Sequence, residues 1–369
     1  MTKVSRRRFI RAGGAVAAGA VSTAVAVPAI AQATPEVRWR MTTSWPKSLD
    51  TLYGAAEHIA KRVAALTDNK FQIQVFAAGE IVPGLQVLDS VQSNTVECGH
   101  TAPYYYFGKD DAFVFLSALP FGMNPRMQNA RLLHGGGLEL ANDFLKTYGV
   151  NFLPGGNTNC QMGGWFRNPI TKLEDLKGLK FRIGGFAGRI AQRLGVIPQQ
   201  IAAGDIYPAL EKGTLDGAEW VGPYDDEKLG FVRVAKFYHY PGWWEPSSTI
   251  GFLANSERFN SLPKLYQEAL TSAALEANTW AASKYDAVNA GGLKKLAAQG
   301  AVLQPFSQEV MDGCYKAAQQ LYAEINQTNP AFKKFYDSYK AFQDDGYFWQ
   351  QVANYPMDAY SIRYRTTKI

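Results

Sequence analysis

The chain has 369 residues, 47% of them hydrophobic and 19% charged, with a formal net charge of +6. That length is enough for two α/β lobes with sizeable cores, and the composition marks a globular protein. Five of the 38 basic residues (Lys3, Arg6, Arg7, Arg8 and Arg11) and none of the 32 acidic ones fall within positions 1–33. The remainder is close to neutral and carries no basic excess for nucleic acid.

Residues 1–33 read as an export signal: a basic start, an apolar Ala/Val/Gly run, then Ala-x-Ala patterns that place cleavage after Ala33. Ser5-Arg6-Arg7-Arg8-Phe9-Ile10 resembles the twin-arginine signal. That address implies the periplasm. An ordinary secretory signal with chance arginines fits the same stretch.

Strand and helix patterns then alternate over residues 36–101. "VRWRMTTSW" and "FQIQVFAA" read as strands around a helix in "LDTLYGAAEHIAKRVAALT". A short helix in "LQVLDSVQSN" and a strand in "TVECGHTA" follow. This order implies right-handed crossovers and parallel pairing. A helical pattern around "NPRMQNARLLHGGGLELANDFLKTYG" leads to a strand in "VNFLPGG". The strand–helix order returns in "KFRI", "FAGRIAQRLG", "IPQQIA", "DIYPALEKG" and "TLDGAEW". Thr95-Val96-Glu97 aligns with Thr214-Leu215-Asp216, so two related α/β halves are expected. Residues 257–299 form one long helical stretch with an expected break at Gly291-Gly292, and "GAVLQPF" reads as a strand. The tail from Ser307 to Tyr347 is helical, with Pro330 between its two parts.

Ligands of open parallel sheets sit beyond the carboxyl ends of the strands. Along "LKFRIGG", Phe181 and Ile183 share one face and Arg182 stands on the other. A guanidinium there suits a bidentate grip on a carboxylate. It equally suits an ion-paired strand arginine. Gly184, Gly185 and Gly188 lack nucleotide-binding spacing; they are expected to let the chain turn sharply and bring the next helix close to the strand. Asn159 and Gln161, two apart, share a face if extended; a plain polar turn is the other reading. Glu219-Trp220 ends a strand, and Trp243-Trp244-Glu245 lies in "YHYPGWWEPSS". Each Trp alone also suits core packing. Gln161, Glu219 and Glu245 would make an oxygen-only set, fit for Na⁺ or Ca²⁺ rather than a transition metal.

The histidines show no zinc spacing, and Cys98, Cys160 and Cys314 are expected to be buried free thiols. No nucleophile elbow or paired-carboxylate signature supports catalysis.

The chain from about residue 35 to 365 resembles the extracytoplasmic solute-binding subunits of tripartite ATP-independent periplasmic (TRAP) transporters. "GLKFRIGGFAGRIAQRLG", "LEKGTLDGAEWVGPYDD" and "HYPGWWEPSS" carry the resemblance, and they are similar to the subgroup that binds pyruvate and related monocarboxylates with a cation, which implies a 2-oxo or 2-hydroxy acid as the ligand. It implies a two-lobed periplasmic binding protein fold of class α/β, with mixed sheets, a long connecting helix and an extended C-terminal helix. It implies that Arg182 clamps the ligand carboxylate and that Asn159 and Tyr105, or its neighbour Tyr104, hydrogen-bond the ligand. It implies that Gln161, Glu219, the Trp220 carbonyl and Glu245 hold the cation, with sodium favoured and calcium an alternative.

The resemblance also implies membrane permease subunits as partners, and a homodimer made by the C-terminal helices. The expected division is residues 34–153 mainly first lobe, 154–255 mainly second lobe, 256–306 connecting helix and return strand, and 307–369 C-terminal helices. The competing reading is an exported enzyme acting on a small carboxylic acid. Under the binding reading, Arg182→Ala is expected to abolish binding and leave the fold intact.

Overall fold

A computed structural model describes residues 35–364; the export signal lies outside these residues. Eleven strands build two sheets. The first lobe opens with β1 (Val37–Thr43), α1 (Leu52–Leu66), β2 (Phe71–Phe76), α2 (Val87–Gln92) and β3 (Cys98–Thr101). Then come α3 (Pro125–His134), α4 (Gly137–Leu145) and β4 (Val150–Asn157). The single helical pattern expected before β4 is thus two helices, divided at Gly135-Gly136.

The second lobe holds β5 (Trp165–Phe166), β6 (Lys180–Arg182), α5 (Ala187–Arg193), β7 (Ile197–Gln199), α6 (Ala203–Glu211) and β8 (Gly217–Ala218). It continues with α7 (Pro223–Leu229) and β9 (Phe237–Tyr240). After these come β10 (Thr249–Asn255), α8 (Ser256–Asn260), α9 (Lys264–Ala298) and β11 (Val302–Pro305). The chain ends in α10 (Gln308–Thr328), α11 (Pro330–Val352) and α12 (Asn354–Arg363).

The strand orders are β2-β1-β3-β10-β4 and β11-β9-β5-β8-β6-β7. The repeat seen in the sequence is visible here. In each lobe a leading strand, β1 or β6, pairs in parallel with the next two, giving β2-β1-β3 and β7-β6-β8. The aligned acids do the same job. Glu97 accepts the N–H of Arg40 in β1 at 2.7 Å, and Asp216 accepts that of Lys180 in β6 at 2.9 Å. Pairing is not all parallel. β10 runs antiparallel to both β3 and β4, and β5 antiparallel to both β8 and β9. Residues 249–255, expected in the second lobe, therefore complete the first sheet. The cause is tertiary. The chain returns from the second sheet and fills the gap between β3 and β4, which no local pattern announces.

Helix α9 runs unbroken through Gly291-Gly292, against the expected break. Each glycine costs about 1 kcal/mol relative to alanine inside a helix. Gly292 is needed for another reason: a Cβ there would lie 2.7 Å from the backbone N of Tyr224, where α7 crosses. At the tail the expectation of a division at Pro330 is met, because Asn329 caps α11 by accepting the N–H of Phe332 at 2.9 Å. Ser307 caps α10 likewise, accepting from Val310 at 3.2 Å. All three cysteines are free. Cys98 and Cys314 are buried, but Cys160 is exposed; it follows a left-handed residue, Asn159, on a turn rather than a strand.

Helix α7 ties the lobes together through two buried aspartates. Asp225 accepts the hydroxyls of Thr51, just before α1, at 2.6 Å and of Tyr285, on α9, at 2.7 Å. Asp226 accepts from Tyr238 at 2.6 Å and from the indole of Trp165 at 3.0 Å. Burial pushes the Asp226 carboxyl up to about 7. An unfolded aspartate ionises near pH ~4. The folded carboxyl keeps its proton longer, so its contribution to stability falls as pH rises between those values. Asp226→Asn removes that component. Urea unfolding at pH 5 and pH 8 is expected to show the native chain losing stability relative to the variant as pH rises.

Candidate functional site

The strand-end loops of both lobes meet around a small, nearly filled cavity. Tyr104, Tyr105 and Trp45 come from the first lobe, and Arg182 and Trp220 from the second. Gln161 and Thr158 enter from the segment that joins them.

Arg182 ends β6 on the face opposite Phe181, and its side chain is 1% exposed. Its Nη1 pairs with the Glu219 carboxylate and donates to the Glu219 carbonyl at 2.8 Å. Its guanidinium lies over the Trp220 ring, 4.8 Å from the centroid. The same Glu219 oxygen accepts the N–H of Gly184. Thus β6 and β8 are cross-linked beyond their ladder. The glycines serve one contact beyond those expected. A Cβ on Gly185, whose φ is +65°, would sit 2.1 Å from the Tyr104 ring. Gly185 is where the first lobe presses on the second. Gly188 does bring α5 close to the strands, with an added Cβ 3.2 Å from Pro198.

Glu245 receives the Tyr104 hydroxyl at 2.9 Å and the Gln161 amide at 2.7 Å. Two backbone bonds zip its loop to the Gln161 turn. Gln161 N–H donates to the Glu245 carbonyl at 3.1 Å, and Gly242 N–H to the Gln161 carbonyl at 3.0 Å. Met162 N–H donates to the Val221 carbonyl at 3.0 Å, fixing Trp220 alongside. The three cation candidates are thus held by main chain from three separate segments.

Asn159 is placed differently from expectation. Its backbone is left-handed, with φ +57°, so the chain turns between 159 and 161 and the two do not share a face. Its amide donates to the Ala282 carbonyl on α9 at 2.9 Å. Thr158 lines the cavity instead, and its hydroxyl accepts from the Gln161 amide at 3.1 Å. Thr158 carries no mark in the period-2 alternation, because the segment leaves the extended conformation at Asn159.

The electrostatics are those of a dry site. Burial pushes Glu219 above the usual carboxylate range, against the pull of Arg182. Burial and then the facing charge of Glu219 push Glu245 up to about 8. Burial raises Tyr105 to about 12, so its phenol stays a neutral donor beside Arg182.

Four buried polar atoms here have no partner. Two are acceptors, Gln161 Oε1 and Glu219 Oε2; two are donors, Arg182 Nη2 and Trp220 Nε1. Orphaned buried polar groups cost roughly 1–3 kcal/mol each and call for an explanation. Unpaired acceptors suit a cation, and unpaired donors suit an anion. The donor set is oxygen only, which fits a hard cation such as Na⁺ or Ca²⁺. Among the described residues, no cluster of three or more His, Cys, Asp or Glu gathers for a metal.

Residues 41–329 match the family DctP, bacterial extracellular solute-binding protein family 7. The chain belongs to that family. Within it, this DctP chain is 51% identical over 318 residues to a monocarboxylate 2-oxoacid-binding periplasmic protein of Nostoc sp. (strain PCC 7120), covering 86% of this chain and 87% of that one. A TRAP transporter solute-binding protein from Bordetella bronchiseptica RB50, solved as a dimer with copurified calcium and picolinate, superposes with TM-score 0.89 at 49% identity. That match covers 89% of this chain and 98% of the other. A TRAP periplasmic solute-binding protein from Pseudoalteromonas atlantica T6c, with bound sodium and pyruvate, gives TM-score 0.86 at 36% identity, covering 89% and 100%. The two-lobed α/β fold with mixed sheets expected for a DctP protein is the one observed.

The burial of Arg182 changes the expectation for its truncation. Arg182→Ala strands the Glu219 charge in a dry site, a loss of about 3–5 kcal/mol, so the fold suffers too. Arg182→Lys keeps the charge but removes the planar fork. Calorimetry on that variant is expected to show a folded protein whose affinity for a small carboxylate is at least about tenfold weaker.

Proposed function

We propose that this chain is the periplasmic solute-binding subunit of a TRAP transporter, capturing a 2-oxo monocarboxylate of about pyruvate's size together with a cation. The supporting observation is that buried acceptors without donors and buried donors without acceptors gather at and beside one small cavity, which Gln161, Arg182 and Trp220 line and Glu219 adjoins through Arg182. The names and ligands of the similar proteins point the same way. Arg182 grips the carboxylate through its free Nη2. The Tyr104 and Tyr105 phenols and Thr158 flank it. Gln161, Glu219, the Trp220 carbonyl and Glu245 hold the cation, and the ligand's carboxylate and 2-oxo oxygens complete its shell. In this reading Asn159 turns the chain and Thr158 takes the position at the ligand.

Charge decides how the ion is chosen. Arg182 offsets one of the two glutamates. The ligand adds a further negative charge, leaving two to balance. A divalent ion neutralises the site outright, whereas sodium does so only when one glutamate keeps a proton. The bound acid is carried and released unchanged, so the chain is a receptor rather than an enzyme. The arginine pair at Arg6-Arg7 sends it out folded, and membrane permease subunits receive the ligand.

Helices α11 and α12 carry Phe348, Trp349, Val352, Tyr355, Met357 and Tyr360, all more than half exposed. Exposed apolar side chains crowded on one short stretch of chain suit an interaction site, and a second copy of this chain covers them in a homodimer. Light scattering is expected to find a dimer for the native protein and a monomer for the Trp349→Glu, Val352→Glu double variant.

Titration calorimetry of chelator-treated protein tests the capture itself. Pyruvate is expected to bind with calcium or sodium present, and about tenfold or more weaker without either. Recovery of the acid unchanged by mass spectrometry fits capture. Conversion of the acid, or affinity independent of any cation, overturns it.

A further inference from the structure

The cation loop is backed by a segment that touches no ligand. Trp243 and Trp244 form the apex of a turn closed by the Glu245 N–H on the Gly242 carbonyl, at 3.1 Å. The placement of Trp243 therefore sets where Glu245 points. Phe121 holds Trp243 twice. Its N–H donates to the Trp243 carbonyl at 2.8 Å, and its ring stacks on the Trp243 indole at 5.2 Å and 13°.

Phe121 is itself held in an unfavourable backbone state, φ +54°. A bulky residue stays there only when its surroundings over-determine it. They do. On α10, Tyr322 donates to the Pro120 carbonyl at 2.9 Å. On α11, Gln343 donates to the Phe121 carbonyl at 3.2 Å and Tyr347 to the Gly122 carbonyl at 2.9 Å. The Tyr339 hydroxyl accepts the Met123 N–H at 2.6 Å. Four consecutive residues are gripped by four side chains from the C-terminal helices.

We infer that Phe121, clamped by α10 and α11, is a positioning residue that fixes Glu245 for the cation. The inference rests on the functional reading above and adds to it that the C-terminal helices, outside both sheets, set cation affinity. Residues that orient a metal ligand without touching the metal change affinity about 10–100-fold when altered.

The test titrates calcium into chelator-treated protein at saturating pyruvate, by calorimetry. Phe121→Ala is expected to raise the half-saturating calcium concentration about tenfold, at full stoichiometry. Phe121→Tyr, which keeps the ring, is expected to restore it. Tyr347→Phe removes one grip and no ring; a smaller shift in the same direction is expected, and this variant decides the matter if Phe121→Ala does not fold. An unchanged half-saturation in folded variants overturns the inference. So does lower stoichiometry alone, which signals damage to the fold. A native chain without calcium-dependent pyruvate binding overturns the functional reading itself, and this inference with it.

Discussion

The buried pair of Arg182 and Glu219 is the constraint around which the rest of the site is arranged. Two opposite charges sit in a dry interior, each 1% exposed at the side chain. Such a pair is worth keeping only if every remaining donor and acceptor is used. Here the neighbours use part of the capacity: the Gly184 N–H, the Glu219 carbonyl and the Trp220 ring. What remains is one free donor edge and one free acceptor edge. A carboxylate and a cation together satisfy both. Either alone leaves a charge uncompensated, which is the physical reason to expect them to bind as a couple.

That pair also orders the surrounding layers. Tyr104 presses on Gly185 and donates to Glu245, so the first lobe touches both the Arg182 segment and the Glu245 loop. Asp225 adds a contact from α7 to Thr51 and to α9. The lobes thus touch at the site itself, as expected where hinge closure encloses a ligand.

Much of this was readable from residue order. The alternation along "LKFRIGG" puts Arg182 opposite Phe181 and Ile183, and the strand-end rule then aims it at the cavity. The repeat was visible in three aligned residues, because Glu97 and Asp216 are fixed by the same local task. The long-range features were not readable. A single left-handed residue, Asn159, breaks the period-2 alternation that would put it on one face with Gln161. The break expected in α9 failed because Gly292 answers to α7, which lies more than 60 positions away in sequence. The place of β10 depends on where the chain returns, and the grip on Phe121 is made by residues about 200 positions later. Local periodicity records none of these.

The chain passes between the sheets three times: from β4 to β5, from β9 back to β10, and from α9 to β11. Neither lobe is therefore one continuous stretch of sequence. Three crossings restrain the relative rotation of the lobes more than a single linker would. Where the lobes meet, Tyr104 fills the place that Gly185 leaves open, so the register of the two halves is set by the one residue type that carries no Cβ.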